Sequence, residues 1–265
     1  MIDATLLTSD LSLIRERSPL IHNITNYVVM NNTANALLAI GASPVMAHSV
    51  EEVAEMAGIA SSLVINIGTL SNKWIKGMFL AGKAAKKKGI PVILDPVGAG
   101  ATAYRTDTCR ALINECSPDI IRGNASEIRA LVETNSRTKG VDSISSSDSA
   151  LNSAVKLAQQ TGAVVVVSGS TDYITDGRNV ETVKQGSAMM TRVTGMGCTA
   201  SALAGAFAAV NSDLLSASVH AMATMGITGE LAAQKAEGPG TMQLHFLDIL
   251  YRLDGDTIAR QLKPA

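Results

Sequence analysis

Pro91-Val92-Ile93-Leu94-Asp95-Pro96-Val97 is a short apolar segment with one charged residue, Asp95. A run without polar alternation predicts a strand covered on both faces, which is typical of a parallel sheet between two layers of helices. Asp95 then falls where the strand gives way to the loop Gly98-Ala99-Gly100. A strand at residues 91–97 therefore indicates the type of sheet and places a carboxylate at its edge.

Similar apolar segments alternate with helical patterns on both sides of this one. The other predicted strands are residues 43–47, 63–67, 119–122 and 163–168. The predicted helices between them are residues 27–40, 50–57, 72–88, 105–115, 126–134 and 149–161. This βα alternation predicts an α/β fold in which a mostly parallel sheet is sandwiched between helices.

The pattern changes after residue 168. Residues 173–183 predict a hairpin about Asp176-Gly177, which would add an antiparallel edge to the sheet. Helices are predicted at residues 198–210, 214–237 and 242–253, with Gly238-Pro239-Gly240 as a break between the last two. The Ser/Thr-rich residues 134–149 predict an exposed excursion, after which the βα pattern resumes. We therefore expect a single domain over residues 1–265.

The composition excludes several classes of function. The 265 residues carry a net charge of −1 and only 3% are aromatic, so we expect no surface for nucleic acid. No apolar run approaches the roughly 18 residues that span a bilayer, and the N-terminus lacks a signal-peptide pattern. Three cysteines without CxxC spacing argue against a disulfide framework or a structural zinc site. These features predict a cytoplasmic metabolic protein without membrane partners.

The segment Thr194-Gly195-Met196-Gly197-Cys198 precedes a run of small helix-forming residues. Glycines leave backbone amides accessible, and the start of a helix adds unpaired N–H groups and the positive end of the helix dipole. Residues 195–198 therefore predict an anion hole that contains a thiol. The alternative is a plain Gly-rich loop before a buried Ala-rich helix.

Polar residues end the other predicted strands, at the edge where open α/β sheets bind ligands. Asp95 and Glu127 offer hard carboxylate oxygens of the kind that hold Mg²⁺. Arg122 has the fork geometry that suits a phosphate, and Ser168 adds a hydroxyl. Together they predict a metal and phosphate site at this edge.

Each of these residues also has a structural interpretation. Asp95 can start a turn, and Ser168 can simply end a strand. Asn124 and Glu127 have the spacing of a capping box, and Arg122 can pair with any surface acid. The chain has no GxxxxGK[ST] motif, which excludes a P-loop kinase, and no GxGxxG follows its first strand.

Several segments together resemble the hydroxyethylthiazole kinase family of the ribokinase-like superfamily. They are residues 19–26 (PLIHNITN), 41–46 (GASPVM), 94–102 (LDPVGAGAT), 122–127 (RGNASE), 194–198 (TGMGC) and 238–241 (GPGT). The resemblance implies a ribokinase-like three-layer α/β/α sandwich and ATP-dependent phosphorylation of 4-methyl-5-(2-hydroxyethyl)thiazole in thiamine salvage. It also implies Mg²⁺ and a homotrimer with the thiazole site near a subunit interface.

The same resemblance implies roles for individual residues. Those expected to contact the thiazole are Asn26, Met46 and Gly195. Those expected on the ATP phosphate side are Arg122, Ser168 and Thr194, and those expected to organise Mg²⁺ are Asp95 and Glu127. Cys198 stands where sugar-kinase relatives carry a catalytic aspartate, so it is the expected catalytic group. Met196 departs from the threonine that is more usual in the family.

Two questions remain open from the sequence. Cys198 either takes the proton of the substrate hydroxyl or only holds the alcohol, because an ordinary thiol is a weaker base at neutral pH than a carboxylate. The activity could also be that of a hydroxymethylpyrimidine or pyridoxal kinase, or of an ATP-dependent hydro-lyase on the same scaffold. A nucleotide-binding module without catalysis is a further alternative, which the strand-end carboxylates disfavour.

Overall fold

The computed structural model describes residues 2–133 and 147–262, and its centre is an eight-stranded sheet. The strands are β1 (Leu20–Ile24), β2 (Ser43–Val45), β3 (Ser62–Asn66), β4 (Val92–Asp95), β5 (Ile120–Asn124), β6 (Val164–Ser168), β7 (Asp172–Thr175) and β8 (Val180–Val183). Their spatial order is β2-β1-β3-β4-β5-β6-β7-β8. β1 to β6 pair in parallel, whereas β7 and β8 are antiparallel. The predicted parallel sheet with an antiparallel edge hairpin is confirmed.

Helices cover both faces of this sheet, which confirms the three predicted layers. They are α1 (Ala4–Arg17), α2 (Met30–Ile40), α3 (Val53–Ile59), α4 (Asn72–Lys88), α5 (Ala103–Cys116), α6 (Ala125–Val132), α7 (Ser147–Thr161), α8 (Met196–Ala208), α9 (Leu214–Lys235), α10 (Pro239–Arg252) and α11 (Gly255–Gln261). A 3₁₀ helix, Ala188–Arg192, precedes α8. Helices α3 to α7 line one face, and the others line the opposite face. Within the described ranges, no helix is long and apolar enough to cross a bilayer.

The central strands are apolar on both sides because each side has its own core. In β6, Val164 and Val166 point into the core shared with α8 and α9, while Val165 and Val167 point into the core shared with α6 and α7. A strand buried in this way needs an apolar residue at every position, not at alternate ones. This explains why continuous apolar runs were sufficient to locate β3, β4 and β6.

Helix α8 lies unusually close to the sheet, and its small residues allow this. A Cβ on Gly205 would stand 2.7 Å from Val64 Cγ2, so only glycine fits there. Ser62 Oγ, at the start of β3, donates to the carbonyl of Gly205 at 2.8 Å. Ser201, one turn earlier, donates to Asp95 at the end of β4. The helix therefore runs opposite to the parallel strands, and its first turn lies over their carboxyl ends.

Three elements, α1, β1 and α11, were not predicted, nor was the 3₁₀ helix. In β1 the polar residues His22 and Asn23 interrupt the apolar pattern, yet both are fully buried. Each has a backbone acceptor: His22 Nε2 lies 2.8 Å from the carbonyl of Ala47, and Asn23 Nδ2 donates to that of Ile21 at 2.9 Å. Hydrogen bonding thus permits a buried strand that periodicity does not reveal.

Three predicted boundaries were wrong for identifiable reasons. The predicted break between α9 and α10 is present at residues 236–238, but α10 begins at Pro239 and not at residue 242, since the missing N–H of proline costs nothing at the first helical position. Helix α8 begins at Met196, not Cys198, because Gly195 adopts a left-handed conformation and ends the preceding loop. Residues 147–149 belong to α7, and the rest of the predicted excursion, residues 134–146, lies outside the described residues.

Candidate active site

The carboxyl ends of the parallel strands bring most of the predicted residues to one edge of the sheet. β1 and β3 are neighbours, although the chain passes through β2 between them. After β1 the chain forms β2 on one side of β1, and it then forms β3 on the other side. Such a reversal of strand order is where α/β sheets commonly bind ligands. Asn26 follows β1, Asn66 ends β3 and Asp95 ends β4. The first turn of α8 covers these three ends.

A chain of hydrogen bonds joins these residues to the thiol. Asn26 Nδ2 donates to Asn66 Oδ1 at 2.9 Å and to Cys198 Sγ at 3.5 Å. Asn66 Nδ2 in turn donates to Asp95 Oδ2 at 2.8 Å. Cys198 and Asp95, which are far apart in the sequence, are therefore linked through two amide side chains.

Asp95 is almost completely buried, with 1% of its surface exposed. Burial raises the pKa of Asp95 to about 6, although the nearby Arg122 guanidinium and the donors Ser201 and Asn66 oppose this rise. The two donors both bond to Oδ2, each at 2.8 Å. A carboxylate whose pKa is raised this far by burial is typical of functional sites.

Cys198 is half-buried in the first turn of α8. Burial, reinforced by the negative charge of Asp95, raises the pKa of the Cys198 thiol to about 11. The amides of Asn66 and Asn26 lower this pKa, but they do not outweigh burial. The group is therefore a neutral thiol at physiological pH, which favours the second of the two roles that the sequence left open.

The glycine segment before Cys198 has the geometry of an anion hole. Gly195 has a φ of 86°, and a Cβ at this position would stand 2.9 Å from Val29 Cγ1. The amide of Thr199 donates to the carbonyl of Gly195 at 2.8 Å. Because this bond spans the first turn, the amides of residues 196–198 have no acceptor inside the helix. The loop thus leads into a helix start whose first three amides have no acceptor inside the helix.

Arg122 lies on the other side of this loop. Its Nη2 donates to Ser168 Oγ at 2.7 Å, and a Cβ on Gly197 would stand 2.9 Å from its Nη1. Among the described residues, the buried Nε of Arg122 has no hydrogen-bond partner. Thr194 is exposed beside the same loop. The guanidinium is therefore held against the loop by a hydroxyl rather than neutralised by a surface acid.

Glu127 forms a capping box with Asn124, which is the structural role that the sequence offered beside metal binding. Asn124 Oδ1 accepts the amide of Glu127 at 2.9 Å, and Glu127 Oε2 accepts the amide of Asn124 at 2.8 Å. Glu127 Oε1 also accepts the amide of Gly98 at 2.9 Å. The carboxylate therefore holds the loop after β4 to the start of α6. Within the described ranges, no group of three His, Cys, Asp or Glu side chains could hold a metal ion.

Met46 follows the short edge strand β2 and is half-buried. Its carbonyl lies 3.3 Å from Nδ1 of His48, whose ring packs on Trp74 at a centroid distance of 4.5 Å. The ring of Tyr27 packs on Trp74 at 4.7 Å. Met46 thus lies at the β2 edge of the site, on the side of Asn26.

Sequence reasoning missed two residues of the site, Asn66 and Ser201. Asn66 is the one polar residue in the predicted strand 63–67, next to its predicted end, so reading the polar residues near the end of every predicted strand would have found it. Ser201 lies three residues after Cys198, on the same side of α8, and helical spacing is the signal that could have located it.

The chain is similar in sequence and in fold to known proteins. The sequence model of the hydroxyethylthiazole kinase family matches residues 11–256. A hydroxyethylthiazole kinase from Syntrophus aciditrophicus is 60% identical over 252 residues, which cover 94% of this chain and 93% of the relative. Among solved structures, a hydroxyethylthiazole kinase protein from Pyrococcus horikoshii has a TM-score of 0.90 and 42% identity, covering 98% of both chains.

A ribokinase-like superfamily protein from Enterococcus faecalis is similar in fold alone, with a TM-score of 0.63, 11% identity, and coverage of 94% of this chain and 89% of that chain. The chain therefore has a ribokinase-like fold. Within that class, the chain belongs to the hydroxyethylthiazole kinase family.

Proposed function

We propose that this protein uses ATP to phosphorylate the hydroxyl of 4-methyl-5-(2-hydroxyethyl)thiazole, a reaction of thiamine salvage. The names of its relatives supply the substrate class. The observation that best supports this reaction here is the contact between Asn26 and Cys198 at the start of α8. The Asn26 amide and the Cys198 thiol can together bind an alcohol. The helix start that carries Cys198 can bind a phosphate.

The donor set fits Mg²⁺ bound together with ATP. Mg²⁺ commonly keeps several waters and takes one or two protein carboxylates plus phosphate oxygens. Both hydrogen bonds described for the Asp95 carboxylate fall on Oδ2, and each Glu127 oxygen accepts one amide, which leaves lone pairs on both groups. We infer that Asp95 and Glu127 hold the ion directly or through water. When bound, Mg²⁺ would supply charge neutralisation for the phosphates.

The remaining roles follow from position. Arg122 and Ser168, joined by a hydrogen bond, would contact the ATP phosphates together with Thr194. The amides of Met196, Gly197 and Cys198 would stabilise the charge on the transferring phosphoryl group. The residues proposed to contact the thiazole are Asn26, Met46 and Gly195.

We propose that Cys198 positions the alcohol and does not act as a strong general base. With the thiol pKa at about 11, on the order of one thiol in 10⁴ is ionised at pH 7. Phosphoryl transfer through a loose transition state depends mainly on alignment and charge stabilisation. A neutral thiol beside the Asn26 amide can supply alignment.

We also propose that the chain acts as a single domain within a homotrimer whose interface adjoins the site. Tyr27 and Val28, which directly follow Asn26, expose 65% and 63% of their surface. Large exposed apolar side chains beside a binding site support coverage by a second copy. Sedimentation should give a trimer mass, which Tyr27→Glu with Val28→Glu should reduce.

The cytoplasmic location stays a prediction.

A coupled ADP-release assay tests the proposed activity. Wild-type protein with Mg²⁺ and ATP is given the thiazole alcohol, hydroxymethylpyrimidine, pyridoxal or no acceptor. We expect ADP release that depends on the thiazole alcohol and exceeds release with the other acceptors. Binding of ATP without turnover on any of these alcohols would instead support a non-catalytic module.

A further inference from the structure

Asn66 has no role in the proposed reaction, yet its side chain lies at the centre of the site. The residue ends β3 and is 1% exposed. Its amide makes three hydrogen bonds, each of 2.8 or 2.9 Å, to groups on three different segments. No backbone atom of its own strand takes part in them. These bonds therefore do not serve β3 itself.

The three bonds fix the orientation of the Asn66 amide. Oδ1 accepts two donors, the side chain of Asn26 and the backbone amide of Gly68, so the NH₂ group must face Asp95. If the amide were flipped, its NH₂ group would face the N–H donors of Asn26 and Gly68. Its oxygen would then face the carboxylate oxygen of Asp95. The position thus needs an acceptor on one side and a donor on the other, which only an amide of this length supplies.

The surroundings prevent Asn26 from moving away from this amide. A Cβ on Gly68 would stand 2.5 Å from Asn26 Nδ2 and 2.7 Å from its Cγ, so the backbone of residue 68 packs directly on the Asn26 side chain. Arg105 holds this segment in place by donating to the carbonyls of Ile67 and Gly68 at 2.8 and 2.9 Å. The Asn26–Asn66 contact is therefore enclosed.

We propose that Asn66 is a positioning residue that aligns the two halves of the site, holding the Asn26 amide on the Cys198 sulfur while its own NH₂ group fixes Asp95. The inference rests on the proposed function, because alignment matters only if an alcohol on the Cys198 side reacts with a phosphate on the Asp95 side. The hydrogen bonds described for the Asn66 amide are all to protein groups, so we assign it a role through Asn26 and Asp95. A displacement of about 1 Å at a reacting centre can cost about 100-fold in rate, so the effect belongs in kcat.

The test compares Asn66→Ala and Asn66→Leu with a matched control, Asn23→Ala. Leucine keeps the branched shape of the side chain, at a larger volume, and removes its hydrogen bonds. Asn23 is equally buried on the adjacent strand, but its amide donates to its own strand, at Ile21. For each variant, kcat and both KM values are measured, with the melting temperature and the calorimetric affinity for the thiazole alcohol in the absence of nucleotide.

We expect both Asn66 variants to lose about 10- to 100-fold in kcat, with the KM for ATP within about twofold of wild type. Affinity for the thiazole alcohol should fall as well. Asn23→Ala should lose stability but keep its kcat. In the double variant Asn26→Ala with Asn66→Ala, the loss of kcat should be smaller than the product of the two single losses, because both changes break the same Asn26–Asn66 contact.

Either of two results would overturn the inference: kcat within about twofold of wild type in Asn66→Ala, or additive losses in the double variant. If neither Asn66 variant folds, Gly68→Ala decides, since it displaces Asn26 while leaving Asn66 in place. The inference then requires Gly68→Ala to reproduce the loss of kcat, and a kcat unchanged from wild type would contradict it. A wild-type protein that phosphorylates no thiazole alcohol would instead refute the proposed function, before any variant is compared.

Discussion

Ser201 Oγ donates to Asp95 Oδ2 at 2.8 Å, which ties α8 to the end of β4 one turn after Cys198. The same oxygen accepts the amide of Asn66 at 2.8 Å. Asp95 is therefore held from the sheet and from the helix at once. This arrangement couples the position of the helix start to the position of the carboxylate that we assign to Mg²⁺.

Ser201→Ala should loosen this coupling. A hydrogen bond to a charged group contributes about 1.5–3 kcal/mol, and we expect a loss of unfolding free energy in that range. The KM for Mg·ATP should rise because the carboxylate loses a fixed donor. Chemical denaturation and steady-state kinetics measure the two effects. Ser218→Ala is the control, since Ser218 is also fully buried but donates to Leu214 within α9; an equal rise in KM there would remove the special role of Ser201.

Gly195→Ala should inactivate the protein more than its loss of stability explains. The φ of 86° and the 2.9 Å approach to Val29 Cγ1 both exclude a Cβ. We expect a cost of about 1–3 kcal/mol and a fall in kcat of at least about tenfold. Gly89→Ala is the matched control, because Gly89 has a φ of 79° but open space around it. Equal kcat losses in the two variants would show that backbone strain, not the anion hole, is responsible.

Asp95→Asn should stabilise the metal-free protein at high pH while abolishing its activity. Burial raises the pKa of Asp95 from 3.8 to about 6. The folded state therefore prefers the protonated acid, and this stabilisation is complete below about pH 3.8 and lost as pH rises through about 6. Asparagine cannot ionise, so it should gain up to about 3 kcal/mol at pH 8 and almost nothing at pH 4. Denaturant midpoints measured at pH 4 and at pH 8 check this prediction. An equal gain in stability at the two pH values would contradict a buried charge on Asp95.

Cys198→Ala should reduce turnover without abolishing it. A general base typically contributes at least about 100-fold, so a group that only positions the alcohol should cost less than that in kcat. Cys198→Ser should stay nearer to wild type because a hydroxyl can still contact the Asn26 amide. Cys198→Asp should retain or raise activity, since it restores a carboxylate. A loss in Cys198→Ala far above 100-fold, with the fold intact, would show that the thiol takes the proton.

Arg122→Ala should raise the KM for ATP more than the KM for the thiazole alcohol. The guanidinium is directed toward Ser168 and the backbone of Gly197, on the side that we assign to the phosphates. Arg110→Ala provides the comparison, because Arg110 donates to the carbonyls of Ala130 and Glu133 near the end of α6. If both variants change the stability and leave both KM values unchanged, Arg122 has a structural role and does not bind ATP.

The sequence predicted those parts of the fold that one repeated pattern specifies. Strands β3, β4 and β6 each contain at least three consecutive apolar residues because both faces are buried, so they could be located directly, and β5 was located from Ile120 and Ile121. β1 could not, because the polar residues His22 and Asn23 interrupt its apolar pattern, although each makes a hydrogen bond to a backbone carbonyl. Nor could the beginning of α10, which was predicted at residue 242 and lies at Pro239.

The candidate site was predictable to the extent that it depends on strand ends. Asp95, Arg122 and Ser168 each end or nearly end a strand, and the sheet brings them to one edge. The contacts across the site could not be predicted, since they join residues as distant in sequence as Asn26 and Cys198. Nor could the direction of the Cys198 pKa shift, because the dipole of a helix start and burial act in opposite directions.

Phosphorus NMR of the complete reaction tests most directly the claim that this edge of the sheet transfers phosphate to a thiazole alcohol. Wild-type protein, Mg²⁺, ATP and the thiazole alcohol are followed in parallel with Asp95→Ala and with the control Asn23→Ala. We predict a phosphate monoester of the thiazole that accumulates in step with ADP for wild type and Asn23→Ala, and at a rate lower by at least about 100-fold for Asp95→Ala. ADP without the ester, or ester formation by Asp95→Ala at the wild-type rate, would contradict the claim.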